Sequence, residues 1–221
     1  MEFVDVVRTR RMVRRYDPDR GVPRETVTAL LDLAVQAPSA GFSQGWGFLV
    51  LDSRVDLDLY WSITARGGGD DAWLAGMRTA PVLLLALSDP TAYARRYARA
   101  DKAASPLHVE AGAARAAPTV PTGPTAPPVP TWPVAWWDAD TAMAALLVLR
   151  GAADRGLGGC LAGVPVDRWD AVRAAFEVPD RYRPVGLVTL GHPAAGATGG
   201  RGRARRPAAD VVRYGRWGEG S

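Results

Sequence analysis

Lysine is almost missing from this 221-residue chain. Lys102 stands alone in a Lys and Arg total of 27, so nearly every cation is a guanidinium. Cysteine occurs once, at Cys160, which excludes an intrachain disulfide framework and a cysteine-based zinc site. The only histidines, His108 and His192, are too few and too far apart to suggest a metal centre, so no metal is expected. No apolar run approaches the roughly 18 residues of a membrane span, and no membrane contact is expected. Glu2, Asp5 and Arg8 interrupt the N-terminus before any apolar segment could act as a secretory signal. The cytoplasm is therefore the default location. A hydrophobic content of 48% and a charged content of 23% fit a globular chain with a sizeable core. One domain over residues 1–221 is the expectation.

Residues 2–9 read as a short helix. Pro23 opens a second, with Val27, Leu30, Leu31 and Ala34 on one face and Pro38 past its end. Trp46 to Leu51 reads as a strand. Residues 55–66 and 70–79 are weaker helical stretches around Gly67-Gly68-Gly69. Pro81 to Leu87 is continuously apolar, as in a strand buried on both faces. Residues 91–102 are helical and arginine-rich. Within 104–135, seven prolines from Pro118 to Pro133 exclude a helix or central strand and leave a long loop or lid. Asp138 or Asp140 is predicted to cap a helix to about Asp154, with Ala142, Leu146, Leu149 and Ala153 facing inward. Gly156 to Gly163 leads into a small-residue strand, 166–176 forms a helix, and Pro184 to Gly191 is the last core strand. The tail over 193–221 carries Val211, Val212, Tyr214 and Trp217, which suggests a docked arm. Irregular alternation of helices and strands predicts an α+β sandwich with helices on both faces of one sheet.

Two segments carry chemistry. Arg10, Arg11, Arg14 and Arg15 put four charges into six residues. Arginines so placed can converge on a phosphate through charge-assisted, bidentate bonds; a solvated basic face or a nucleic-acid patch is the competing reading. A helix's length later, Pro38-Ser39-Ala40-Gly41 offers backbone groups with little bulk, and Gln44 offers a donor and an acceptor. A flat polar ring could lie there; a helix end followed by a buried Trp46 is the alternative.

These segments resemble the flavin-binding segments of the FMN-dependent nitroreductase family. The family pattern reads Arg-Arg-Ser-x-Arg-x-Phe/Tyr, then Ala-Pro-Ser-x-x-Asn-x-Gln-Pro-Trp. The resemblance implies a three-layer α/β/α sandwich on a mixed, mainly antiparallel sheet with a C-terminal arm. It places Arg10, Arg11, Met12 and Arg14 at the FMN phosphate and the adjoining pyrimidine edge. Pro38, Ser39, Ala40 and Gln44 fall on a loop that in the family reaches FMN from the partner subunit. Gly156 to Gly163 resembles a strand whose backbone N–H near Ala162 and Gly163 approaches flavin N5, with Cys160 and Leu161 of the same strand also implied at the cofactor. Gly191-His192-Pro193 resembles the ending of the last strand. Arg203 and Arg205, with Arg206 before Pro207, match a tail in which a basic residue returns to the phosphate. The chain departs from the pattern at three places: Met12 replaces Ser, Phe42 replaces Asn and Gly45 replaces Pro. Ala-Pro-Ser-x-Gly-Phe-x-Gln is also similar to the flavin-fragmenting enzyme of cobalamin lower-ligand synthesis, but that enzyme has Asp where Met12 stands.

The implied activity is ping-pong transfer of hydride from NAD(P)H through FMN to a small aromatic, nitro, quinone or enone acceptor, in a homodimer. No side-chain acid or base is required, so no catalytic residue is named. Phe42, Trp132 and Trp136 are candidates for substrate stacking, with core packing as the other role. A flavin carrier or sensor without turnover is the alternative function, and a basic nucleic-acid-binding protein a further one; no nucleic-acid partner is expected. A dinucleotide fingerprint lacks its third glycine at Gly156-Leu157-Gly158-Gly159. Cys160, among Leu, Gly and Ala, reads as an inert packed thiol.

Overall fold

The computed structural model describes residues 2–65, 72–105, 107–108, 132–197 and 204–217. At its centre lies β2 (Val82–Ser88), all seven residues of which are buried. Its run of Val and Leu has no polar side to show to water, so it needs a covered layer above and below. β1 (Trp46–Leu51) and β4 (Arg183–Gly191) flank it, and β3 (Gly158–Ala162) lies outside β4. Every ladder between these four strands is antiparallel. A parallel bridge from Met12 to Gly159 adds a fifth position beyond β3. The sheet is thus mixed and mainly antiparallel.

Alternation along β2 builds two cores. Leu83, Leu85 and Leu87 face one cluster, shared with α3 (Arg54–Thr64), α4 (Ala72–Met77) and α7 (Trp169–Ala175). Val82, Leu84 and Ala86 face the other, shared with α2 (Arg24–Ala34) and α6 (Trp136–Asp154). This is the α+β, helix–sheet–helix sandwich that the sequence predicts. α1 (Phe3–Thr9) packs on α6.

Two expectations are corrected. α6 begins at Trp136, and neither Asp138 nor Asp140 caps it. Its buried side is Trp137, Thr141, Ala144, Ala145, Val148, Leu149 and Ala152, while Leu146 is exposed. Ala142 and Ala153 are only half-buried. The helix lies between the sheet and α2, so its inward side takes small residues; a Cβ on Gly151 would stand 2.5 Å from Leu33. The arginine-rich helix α5 (Pro90–Tyr97) ends early, and a separate 3-10 turn follows at Ala100–Lys102. The described part of the C-terminal arm, including α8 (Ala208–Val211), leaves its large aromatic residues uncovered by its own chain: Tyr214 is 94% and Trp217 81% exposed. Of the proline-rich segment, only 104–105, 107–108 and 132–135 are among the described residues. No helix among the described residues is long and apolar enough to cross a membrane.

Candidate functional site

The N-terminal arginines leave α1 and run along the free edge of β3. Met12 pairs with Gly159, and Val13 N donates to the Gly159 carbonyl at 3.0 Å. Tyr16 is buried and donates its hydroxyl to the Val13 carbonyl at 2.6 Å, which fixes the segment from below. Met12 is half-buried and packs against both cores, so the residue that replaces the family's serine has a packing role.

Arg10 and Arg14 both lie near the buried Cys160 thiol. Burial pushes that thiol's pKa up, and the two guanidiniums pull it partly back. Arg10 itself is pushed below the usual arginine value, first by burial, then by Arg150, Arg205 and Arg11. Arg10 thus lies among other arginines, with Arg14 across the same thiol. Among the described residues no carboxylate ion-pairs with Arg10, Arg14, Arg150 or Arg205. Arg10 Nη1 and Arg14 Nε are buried and have no hydrogen-bond acceptor in the protein. A buried donor without an acceptor costs about 1–3 kcal/mol, more when charged. Such a cluster of unsatisfied like charges fits a dianionic phosphate, which supplies both the acceptors and the countercharge.

Arg11 is spent differently: Nη1 donates to the Arg8 carbonyl at 2.6 Å and the Arg10 carbonyl at 3.1 Å. Arg150, on α6, was not singled out from the sequence. Its Nη1 donates to the Val7 carbonyl at 2.9 Å, in the last turn of α1, and so ties that helix end beside Arg10. The core spacing assumed for α6 hid it. Arg203 lies outside the described residues.

At the far end of β3 is a cavity of about 410 Å³, within the size range of small-molecule sites. Ala162 and Gly163 at the end of β3 form one wall; Tyr60, Trp61, Trp73 and Met77 form another. Trp61 Nε1 is buried without a partner, and its indole stands edge-on to Tyr60 at 5.2 Å. These walls suit a flat, apolar ring with a few polar edges. The cavity and the arginines are mechanically joined: a Cβ on Gly76 of α4 would stand 2.2 Å from the Arg14 carbonyl oxygen. Leu161 points to the other core. The aromatic cavity wall was also not anticipated, because Tyr60 and Trp61 lie in a helix with no motif around them.

The second sequence motif lies elsewhere. Pro38, Ser39 and Ala40 lead through a tight turn to Gln44, just before β1. Gly41, Phe42 and Gln44 have φ of 62°, 57° and 50°. Asp140 is 1% exposed and accepts from both Ala40 N and the Tyr93 hydroxyl, each at 2.8 Å. Arg96 Nε donates to the Gly41 carbonyl at 2.8 Å, and Gln44 N to Ser39 Oγ at 3.0 Å. Gly45 has a plain reason to replace proline: a Cβ there would stand 2.4 Å from the Tyr93 ring and 2.8 Å from the Asp89 carbonyl. Trp132 packs edge-on to Tyr97 at 4.9 Å and close to Trp137, with Trp136 alongside. Phe42 is 77% exposed. These residues gather around the turn and not around the arginines.

Four ladder steps of about 4.8 Å separate Met12 from β1, and the turn lies at the opposite end of the strands. The two motifs therefore occupy diagonally opposite corners of one sheet, on the order of 25–30 Å apart.

Comparison with known proteins bears on this geometry. The model of the nitroreductase family matches residues 7–192. A Methanothermobacter thermautotrophicus protein with the provisional name NADH dehydrogenase/NAD(P)H nitroreductase is 26% identical over 196 residues, 88% of this chain and 78% of its own length. Among solved structures, a provisional nitroreductase from Exiguobacterium sibiricum in complex with FMN superposes with a TM-score of 0.69 at 20% identity, covering 97% of each chain. One from Desulfovibrio desulfuricans, also in complex with FMN, gives 0.65 at 20% identity, over 96% of this chain and 95% of its own. At such identities these structures establish the fold.

Proposed function

The chain belongs to the nitroreductase family, and on that premise we propose that it is an FMN-dependent NAD(P)H oxidoreductase, working as a cytoplasmic homodimer on a small aromatic, nitro, quinone or enone acceptor. The observation that carries this reading is the pair of buried, unsatisfied donors on Arg10 and Arg14 inside an acid-free arginine cluster. When bound, FMN supplies hydride acceptance from NAD(P)H at N5 and two-electron delivery to the acceptor.

The chain's own residues bind and orient. Arg10, Arg14 and Arg205 would hold the phosphate. Arg150 holds the end of α1 so that Arg10 stays in place. The Ala162–Gly163 backbone and the Trp61–Trp73 wall would receive the ring and keep water from it. No side-chain acid or base is assigned.

The separation of the two motifs supports the dimer, given that both meet one flavin. The Pro38–Gln44 turn cannot reach its own chain's arginine cluster across the sheet, so a second copy would supply it. Exposed Phe42 at its tip, with Met143 and Leu146 on α6, gives that copy apolar surface to cover.

The test is the visible spectrum of the purified protein, repeated after denaturation and filtration. Flavin bands and a released chromophore that runs as FMN are expected. Rapid mixing with NADH or NADPH should then bleach the bands. A colourless protein that takes up no added FMN would sink the proposal; a flavin that neither donor reduces would leave a carrier.

A further inference from the structure

At the corner opposite the arginine cluster is a second groove, of about 470 Å³. Ser43, Gln44 and Trp46 line one side, Arg95 and Arg181 the other, with Tyr182 between. Asp89 forms the floor, its side chain 6% exposed. One of its oxygens is taken up locally, accepting from Thr91 N at 2.9 Å and Thr91 Oγ1 at 2.5 Å. The other is shared by two arginines at long range, Arg95 at 3.3 Å and Arg181 at 3.5 Å.

Two guanidiniums on one carboxylate oxygen leave the groove with a positive charge and with N–H donors still to place. Both side chains remain accessible, 66% exposed for Arg95 and 45% for Arg181. Arg181 also lies over the Tyr182 ring, 4.7 Å from its centroid. A guanidinium stacked on a phenol, beside a half-buried indole, presents flat surface next to fixed charge. That pairing recognises one chemistry above others: a phosphate attached to a planar heterocycle.

We propose that this groove binds the adenosine-phosphate end of the dinucleotide reductant, and that Arg95 and Arg181 make NADPH the preferred donor. The inference rests on the function proposed above. Under it, the Gln44 turn that borders the groove meets the partner's flavin, so a nucleotide seated here has its nicotinamide end beside the ring that it reduces. A second phosphate on the adenosine ribose gives both arginines an acceptor better than a shared, distant carboxylate oxygen.

The direct test is calorimetry of adenosine 2′,5′-bisphosphate and of 5′-AMP with the purified protein, wild type against Arg95→Gln/Arg181→Gln. The wild type should bind the bisphosphate about tenfold more tightly than AMP, and the double variant should lose that preference. A parallel measurement compares NADPH with NADH in flavin reduction: the ratio of their kcat/KM values should fall about tenfold in the variant. Equal affinities in wild type and variant would overturn the proposal, as would an unmoved ratio. If the Gln variant does not fold, Arg95→Lys/Arg181→Lys keeps both charges and Asp89's partners but loses bidentate geometry; it should show a reduced preference, and an unreduced one overturns the proposal. A protein without flavin would sink the oxidoreductase reading, while the calorimetry would still decide the groove.

Discussion

The two motif-bearing corners of the sheet are opposites in hydrogen bonding. At the β3 edge, Arg10 and Arg14 keep buried donors without acceptors, among like charges. At the β1 edge, the Ala40–Gln44 turn is held by protein partners: Asp140, Arg96 and Ser39 each take one of its backbone groups. Both corners hold strain, but of different kinds. The first holds electrostatic strain that only a ligand can relieve. The second holds three left-handed residues in place by over-determining them with protein contacts. The turn itself, held by the protein's own groups, has a presenting role; the arginine edge, which lacks acceptors, has a receiving one.

Removing a charge from the incomplete corner should have the largest effect on cofactor and little on the bare fold. Arg14→Ala is expected to weaken FMN binding by about a hundredfold or more. The flavin-loaded protein should melt lower, because bound ligand stabilises the native state, whereas the apoprotein should melt no lower than wild type. Flavin titration with paired melting curves checks this; full flavin content in the variant would break the comparison.

The reverse is expected at the complete corner. Asp140→Ala strands the Ala40 N–H and the Tyr93 hydroxyl, at a cost of about 2–4 kcal/mol in the apoprotein. Chemical denaturation of the apo form reads that loss directly, and an unchanged midpoint would show that the turn does not depend on its acceptor. Gly76→Ala tests the joint between cavity and arginines. The added methyl must push α4 away from the Arg14 carbonyl, so stability should fall by about 1–3 kcal/mol and FMN affinity by about tenfold. Affinity that survives intact would mean that the two move independently.

The smallest effect is a pH slope. Burial raises the Asp138 carboxyl above its usual range, against the pull of Ser88 and Arg183. The native state then holds this proton more tightly than the unfolded chain, whose Asp titrates near about 3.9. The stabilisation is complete below that value and is lost as pH rises through the native pKa. Asp138→Asn should therefore gain on wild type in melting temperature as pH goes from about 4 to 7. An opposite slope would show that Arg183 outweighs burial.

The sequence made most of the fold legible, because β2, β4 and α2 have runs and periods that only one environment satisfies. The arginines and the Pro38–Gln44 turn were legible as motifs. Their distance was not: nothing local in residues 10–14 or 38–44 says that four ladder steps intervene. α6 was misphased because the helix buries alanine and exposes Leu146, so hydrophobicity pointed the wrong way. That error also concealed Arg150. The Tyr60–Trp61 wall was invisible for another reason: aromatic residues inside a helix look alike whether they fill a core or border a cavity. The docking of the C-terminal arm was inferred from apolar residues that find no cover on their own chain.

The bridge between Met12 and Gly159 also has a consequence in time. It joins positions about two thirds of the chain's length apart, and the neighbouring Tyr16 pairs with Pro193. Contacts of such sequence separation close late, since the intervening loop must lose its freedom first. During synthesis the arginines at 10 and 14 are made well before their neighbours Cys160 and Arg205. Refolding followed by backbone probes should thus be well advanced before flavin can be captured, and cofactor uptake marks the final stage of assembly rather than its nucleus.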